Sequence, residues 1–460
     1  MATSDIFDSL QLAPALLQGV EALGYTQMTP IQAQALPAIL EGRDVIAQAP
    51  TGSGKTAAFG LGLLHRLDSA AISTQALVLC PTRELADQVG KQLRKLAFAI
   101  PNVKVSVLCG GIPLAPQLAS LAHDPHVVVG TPGRIQELAR KRALHLSGVR
   151  TLVLDEADRM LDMGFEEPIR DIVGRTPKER QSLLFSATFP EPIRAMANAW
   201  LREPFEVSID AGTEPAAIEQ LFFEAEPARK IPLLAALLLR YRPESCVVFC
   251  NMRRDTEEVV VSLAHYGFTA SALHGDMEQR DRDEVLVRFA NRSCSVLVAS
   301  DVAARGLDVE NIGVVVNYEL PSDPDTYLHR VGRTGRAGRA GLALTLCTAR
   351  DLPRATAIEA RQGRPLRWER MQPLSGKAQD VPAAAMVTLR IDGGRSDKLR
   401  PGDIVGALTG DAGLPVEAIG KIDVYATRAY VAIAWRQGEH ALARLRAGKI
   451  KGRKFRVNRL

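Results

Sequence analysis

The first stretch able to do chemistry in this 460-residue chain is Ala49-Pro-Thr-Gly-Ser-Gly-Lys-Thr56. Its glycines let the backbone curl until N–H groups point at anionic oxygens, and its lysine adds a cation. This is a phosphate-binding loop, with Ala49 where the general pattern has glycine. Thr51, Gly52, Ser53 and Gly54 would cradle a nucleotide's phosphates. Lys55 would reach the β- and γ-phosphates, and Thr56 would hold Mg²⁺. A chance glycine-rich turn is the rival reading. It does not require the surroundings found here, an apolar strand at 44–48 and a helical stretch at 57–66.

A second group, Leu152-Val-Leu-Asp-Glu-Ala-Asp158, places acids at the end of an apolar strand, where ligands sit in parallel sheets. Asp155 suits Mg²⁺ through water, and Glu156 is placed to orient or deprotonate an attacking water. An acidic helix cap is the alternative, but a cap does not need four successive positions of this kind.

A third group, His329-Arg-Val-Gly-Arg-Thr-Gly-Arg336, supplies three arginines, which stabilise charge developing on a transferring phosphoryl group. It lies more than two hundred residues beyond Lys55. Catalysis would therefore need two domains to close on one ATP. A surface anion patch is the competing explanation, and it accounts for neither the glycines nor the spacing.

The elements that must hold these groups alternate. Short apolar runs at 77–80, 127–130, 152–154, 247–250, 296–299 and 314–316 read as buried parallel strands. Stretches such as 83–97 and 255–265 between them have helical period, the βαβ signature. The expected organisation is a core domain at 1–209, a linker at 210–217, a second core domain at 218–372, a linker at 373–383 and a small domain at 384–460. The last reads βαββαβ: strands at 386–391, 420–425, 430–435 and 454–457, helices at 401–408 and 439–446. That is the ferredoxin-like order of RNA-recognition motifs.

Composition narrows the class. With 46% hydrophobic and 24% charged residues the chain is ordinary for a soluble protein. Residues 1–10 lack the basic, apolar plan of a secretory signal, and the longest apolar run, 233–239, is too short for a bilayer. Six scattered cysteines without a C-x-x-C pair read as buried thiols in a reducing cytoplasm. Net charge is +5, yet residues 381–460 carry 15 Lys/Arg against 7 Asp/Glu, a net of +8. Residues 444–460 hold eight basic side chains and no acid. Such a segment points to a polyanion partner.

Together these motifs resemble the DEAD-box RNA helicases of superfamily 2, from Phe7 to about Thr348. Phe7, Tyr25 and Gln32 look like the family's adenine-reading Q motif; the amide of Gln32 offers both a donor and an acceptor, which would select ATP. The resemblance assigns RNA-backbone contacts to Thr82, Arg83, Gly110, Gly111, Thr131 and Arg134 in the first domain. In the second it assigns them to Asn251, Arg282 and Ser300, where threonine is commoner. Gly306 and Asp308 would touch nucleotide. Ser186, Thr188 and His329 would couple hydrolysis to unwinding, and Arg333 and Arg336 would be the arginine fingers. The implied fold is two RecA-like parallel-sheet domains.

The segments Met386-Val-Thr-Leu-Arg-Ile-Asp-Gly-Gly-Arg395 and Lys449-Ile-Lys-Gly-Arg-Lys-Phe-Arg-Val457 resemble the C-terminal RNA-binding domain of the bacterial DbpA subfamily. That likeness implies a hairpin near the peptidyl-transferase centre of 23S ribosomal RNA as partner, and pre-50S particles as the setting. Lys449, Lys451, Arg453 and Lys454 would grip it, on or beside the last strand. Tyr430 is the one aromatic within Thr427–Ile433, where such domains keep their stacking strand, with Tyr425 and Trp435 as neighbours, so less stacking and more reliance on basic residues is expected. A ferredoxin-like dimerisation module is the alternative for this domain. For the whole chain the expectation is a monomeric cytoplasmic enzyme using ATP and Mg²⁺, separating short duplexes locally, with no membrane or DNA partner. Its rivals are a DNA helicase, a general RNA chaperone and an RNA-binding scaffold gated by ATP.

Overall fold

The computed structural model describes residues 6–50, 52–189, 191–209, 218–304, 312–335, 340–374, 381–411 and 413–460. The β-branched and leucine-rich runs form strands buried on both faces, because each is covered by helices on either side. The first sheet holds β1 (Val45–Gln48), β2 (Ala76–Leu79), β3 (Val105–Leu108), β4 (Val127–Gly130), β5 (Thr151–Asp155), β6 (Gln181–Ser186) and β7 (Phe205–Ser208). Its order is β3-β4-β2-β5-β6-β1-β7, with every pairing parallel.

The second sheet holds β8 (Ile218–Glu224), β9 (Cys246–Cys250), β10 (Ala270–Leu273), β11 (Val296–Ser300), β12 (Val314–Asn317), β13 (Gly341–Cys347) and β14 (Trp368–Glu369). Its order, β10-β11-β9-β12-β13-β8-β14, repeats the first strand for strand, and it too is parallel throughout. Two copies of one α/β plan therefore follow each other along the chain.

A third, antiparallel sheet holds β15 (Met386–Ile391), β16 (Ile419–Val424), β17 (Ala429–Ala434) and β18 (Val457–Arg459), in the order β16-β17-β15-β18. With the helices Pro401–Gly406 and Gly438–Ala447 this is the ferredoxin-like arrangement. The chain divides into two compact units near residue 215; the third sheet has its own core around Leu389, Val431 and Leu445 but belongs with the second unit. The expected linker at 210–217 lies outside the described residues, as does 375–380. The flanking Leu374 and Val381 pack on the second sheet's core.

Two local expectations are corrected. The helix begun at Pro401 does not continue unbroken to 408; after Gly406 it widens into a π turn, Ala407–Asp411. The last strand is not 454–457. Lys451 (φ 53°) and Gly452 (φ 77°) turn the chain, and Ile450 and Arg453 exchange backbone bonds of 2.8 and 3.1 Å across that turn. Extended pairing with β15 starts only where Val457 meets Ile391. The four basic residues from Lys449 to Lys454 thus precede the strand, and all four are exposed. All six cysteines are buried and free. Among the described residues no helix is long and apolar enough to cross a membrane.

Candidate nucleotide and RNA sites

The sheet order brings β5, β6 and β1 side by side, so their carboxyl ends carry three motifs to one rim. β1 runs into the phosphate loop, β5 ends on Asp155, and β6 ends on Ser186. Gly54 takes φ 95° at the entry to the helix Lys55–His65, and a Cβ there would collide with Gln32 Nε2 and Thr29 Oγ1. Lys55 is 6% exposed, and its Nζ donates to the Ala49 carbonyl at 2.8 Å. The Ser53 hydroxyl is buried without a hydrogen-bond partner among the described residues. Thr51 lies outside the described residues.

Gln32 ties the start of the helix Pro30–Leu40 to the phosphate loop. Its Oε1 accepts from Thr29 N–H at 2.9 Å, and its Nε2 donates to the Gly54 carbonyl at 3.0 Å. One lone pair and one N–H remain for a base. Phe7 stacks on Tyr25 at 6.4 Å between centroids, and Gln92 Nε2 donates to the Tyr25 hydroxyl at 2.9 Å.

The acids sit in unequal settings. Burial raises the Asp155 carboxyl to about 7, against the pull of Lys55. Glu156 holds φ 53°, a left-handed conformation costing about 1–2 kcal/mol for a residue with a Cβ. Its Oε2 is buried without a hydrogen bond, with Arg159 Nε 3.4 Å away. Asp158 is the residue that sequence reasoning passed over. Its Oδ2 accepts from Thr188 N–H at 3.0 Å and from Thr188 Oγ1 at 2.9 Å, while its own N–H donates to Ser186 Oγ at 3.2 Å. Burial opposes its charge, but these hydrogen bonds hold its pKa below the usual value. The acid motif and the segment Ser186–Thr188 are therefore one hydrogen-bonded unit.

The residues of the first domain that the family resemblance assigns to RNA also converge. Thr82 Oγ1 caps the helix Arg83–Leu96 by accepting from Leu85 N–H at 3.2 Å. Thr131 Oγ1 accepts from Gly110 N–H at 3.3 Å, and Arg134 Nη2 donates to the Ile112 carbonyl at 3.2 Å. A Cβ on Gly111 would meet the flexible end of the Arg83 side chain, and the left-handed φ of 69° is what favours glycine there. Thr82 and Thr131 are nearly buried and their hydroxyls serve the loops themselves, whereas Arg134, also nearly buried, keeps Nη1 without a hydrogen-bond partner among the described residues.

In the second domain the organiser is Arg330, 2% exposed and missed as a site residue. It donates to both Asp301 oxygens at 2.6 and 2.7 Å, to Asn251 Oδ1 at 2.8 Å and to the Glu319 carbonyl at 2.6 Å. Asn251 and Asp301 follow β9 and β11, and Glu319 follows β12, three adjacent strands. Arg282 Nη2 donates to the Ala303 carbonyl at 3.4 Å, just beyond Ser300. His329 lies beside Arg330 on the helix Pro324–Val331, and Arg333 is buried two residues past its end. Gly306, Asp308 and Arg336 fall outside the described residues.

Two parallel-sheet domains of one topology, with a phosphate loop on the first, are the architecture of a nucleotide-driven motor. The chain belongs to the DEAD-box family of ATP-dependent RNA helicases: residues 29–196 match the DEAD/DEAH box helicase model and residues 229–338 the helicase conserved C-terminal domain. Residues 388–459 match the DbpA RNA binding domain. Among its relatives is the ATP-dependent RNA helicase DbpA of Escherichia coli (strain K12), 51% identical over 98% of both chains. The DEAD-box ATP-dependent RNA helicase CshA of Bacillus anthracis is 43% identical over 77% of this chain and 67% of its own. A solved structure of S. cerevisiae Dbp5 bound to RNA and ADP BeF3 is 31% identical, with a TM-score of 0.73 covering 80% of this chain and 96% of that one.

Proposed function

We propose that this helicase acts on large-subunit (23S) ribosomal RNA during 50S assembly, opening short duplexes next to a hairpin held by its C-terminal domain. The observation that carries this reading is an exposed basic face. Lys451 Nζ donates to the Lys398 carbonyl at 3.0 Å and lies 3.5 Å from Asp403 Oδ2. That contact brings the turn bearing Lys449, Lys451, Arg453 and Lys454 beside the loop bearing Arg395, Lys398 and Arg400, all exposed. The two meet where β15 leaves the sheet and β18 enters it. Such a cluster suits the phosphates of a folded RNA element.

The chemistry rests on this chain's own residues. Lys55 leaves Ala49 for the γ-phosphate, Glu156 orients the attacking water and accepts its proton, and Arg333 and Arg336 neutralise charge on the transferring group. The residues fit Mg²⁺: Asp155 is buried and drawn toward protonation, so a cation is what would hold it as a carboxylate. Asp155 (through water) and the Thr56 hydroxyl would hold the ion, which supplies charge neutralisation at the phosphates. The Thr188–Asp158–Ser186 unit connects the water-orienting turn to the loop after β6, the route by which hydrolysis alters RNA grip. Thr82, Arg83, Thr131, Arg134, Asn251, Arg282 and Ser300 hold one strand by its backbone. The enzyme works as a cytoplasmic monomer.

The test is ATPase activation by a 23S fragment carrying the hairpin against random RNA of equal length. The 23S fragment should activate at lower concentration. Replacing Lys449, Lys451, Arg453 and Lys454 with Gln should erase that advantage and flatten its salt dependence by about one unit per lost phosphate contact. Equal activation by both RNAs in the unaltered chain would leave a general RNA chaperone in place of this reading.

A further inference from the structure

RNA-recognition sheets expose one face, and period-2 alternation identifies that face here. Val387, Leu389, Ile391, Ala429, Val431 and Ile433 point into the domain's core. The opposite face presents Thr388, Arg390, Tyr430 and Ala432, with Thr388 paired to Ala432 and Arg390 to Tyr430. That face is not open: Thr388 is 0% exposed, Ala432 1% and Tyr430 3%. What covers it is the helix Gln279–Ala290 of the second core domain and the turn after it.

The covering contact has two parts. At one end Thr388 Oγ1 accepts from Asn291 Nδ2 at 3.3 Å and shares a 2.6 Å bond with Ser293 Oγ, while Met386 N–H donates to the Arg292 carbonyl at 3.3 Å. At the other end three donors converge on one oxygen, Glu284 Oε1: Arg390 Nη1 at 3.0 Å, Arg428 Nη1 at 3.0 Å and the Tyr430 hydroxyl at 3.4 Å. Arg390 Nε also meets Asp392 at 3.1 Å. Two carboxylates and two guanidiniums make the cluster neutral. Glu284 and Arg390 are each 17% exposed, so solvent screens the pair little. Arg282, a residue assigned to RNA, stands two positions from Glu284 on the same helix.

We propose that Glu284 is a positioning residue for RNA remodelling: it seats the C-terminal domain on the RNA-side helix of the second core domain. RNA held by the C-terminal domain then reaches Arg282 and Ser300 at a fixed offset. A flexible linker would only raise the local concentration of nearby duplex, whereas a seated domain also fixes its direction. This rests on the reading that the C-terminal domain binds the RNA hairpin through its basic turn.

The test uses the full chain in three forms: Glu284→Arg, Arg390→Glu, and both together. Glu284→Arg takes the cluster to a net +2, and the combined form restores neutrality with the signs of that pair exchanged. Spin labels on the second core domain and on the helix Gly438–Ala447 report the spread of separations. Anisotropy reports binding of the isolated 23S hairpin, and ATPase assays compare hairpin joined to duplex with unrelated duplex.

Glu284→Arg should broaden the separations and raise the half-activating concentration of the joined RNA by roughly tenfold, the scale of a lost intramolecular advantage. Hairpin affinity and maximal turnover on saturating unrelated RNA should stay within about twofold, a KM effect without a kcat effect. The combined form should recover both narrow separations and low half-activation. Unchanged separations in Glu284→Arg, or broad ones that leave activation by joined RNA intact, would overturn the proposal. Should the unaltered chain fail to bind the hairpin, the ribosomal reading falls, while the spread of separations still decides whether Glu284 seats the domain.

Discussion

The Lys55 ammonium and the Ala49 carbonyl are 2.8 Å apart, so the loop's cation is stored on the loop's own backbone. A γ-phosphate must take that cation over. Lys55→Ala should abolish hydrolysis, because no other side chain of the loop carries positive charge. It should also raise the Asp155 pKa further, since Lys55 is what pulls it down. Single-turnover hydrolysis measures the first effect; near-normal rates would remove Lys55 from the catalytic assignment.

Glu156→Gln should separate binding from chemistry. The amide keeps the shape but cannot accept a proton. ATP-dependent RNA affinity should persist or rise while turnover falls by about 10²–10⁴, the range for losing a positioned base. A parallel loss of affinity and turnover would make Glu156 a ground-state ligand.

Asp155 links pH to stability. Its folded value of about 7 stands above the ordinary 3.8, so between these values the folded state holds more protons than the unfolded one. Stability of the nucleotide-free protein should therefore fall as pH rises through this window and level off above it. Asp155→Asn should flatten the slope in thermal unfolding between pH 3.8 and about 7, the span of that window. Mg²⁺–nucleotide binding near neutral pH should release a proton in the unaltered protein and none in the variant, read by calorimetry in buffers of different ionisation enthalpy.

Arg330→Met should destabilise the second unit by about 3–5 kcal/mol, the scale for breaking a buried ion pair from one side. Asp301 would lose its guanidinium, and Asn251 and the Glu319 carbonyl would lose donors. Urea unfolding should show an earlier transition in that unit with the first unit unmoved. A shift under ~1 kcal/mol, typical of a surface pair, would mean the network is solvated.

The central strands β2, β4, β5, β9, β11 and β12 are legible as apolar runs because each is buried on both faces, whereas edge strands such as β7 and β14 are partly exposed and carry no such run. The phosphate loop, the acids after β5 and the arginines near 333 are legible because their chemistry is carried by spacing of a few positions. RNA-side residues were named from motif likeness, and the structure gathers them at the carboxyl ends of adjacent strands. The onset of β18 was misplaced by three residues because the alternating apolar residues around Phe455 mimic a strand, whereas the left-handed Lys451 and Gly452 delay the pairing.

What tertiary structure alone decided is which distant polar groups satisfy one another. Nothing near Glu284 in sequence announces Arg390 or Arg428, more than one hundred residues away. Arg330 was one arginine of three until burial showed it to be the one joining Asn251, Asp301 and Glu319. Gln32 looked like a base-reading amide, and folding also made it the clamp between Thr29 and Gly54. Periodicity and short motifs are local and survive in the sequence. The pairing of buried charges is set by the approach of separate elements, and a charge whose partner is supplied by another domain leaves no mark beside it in the chain.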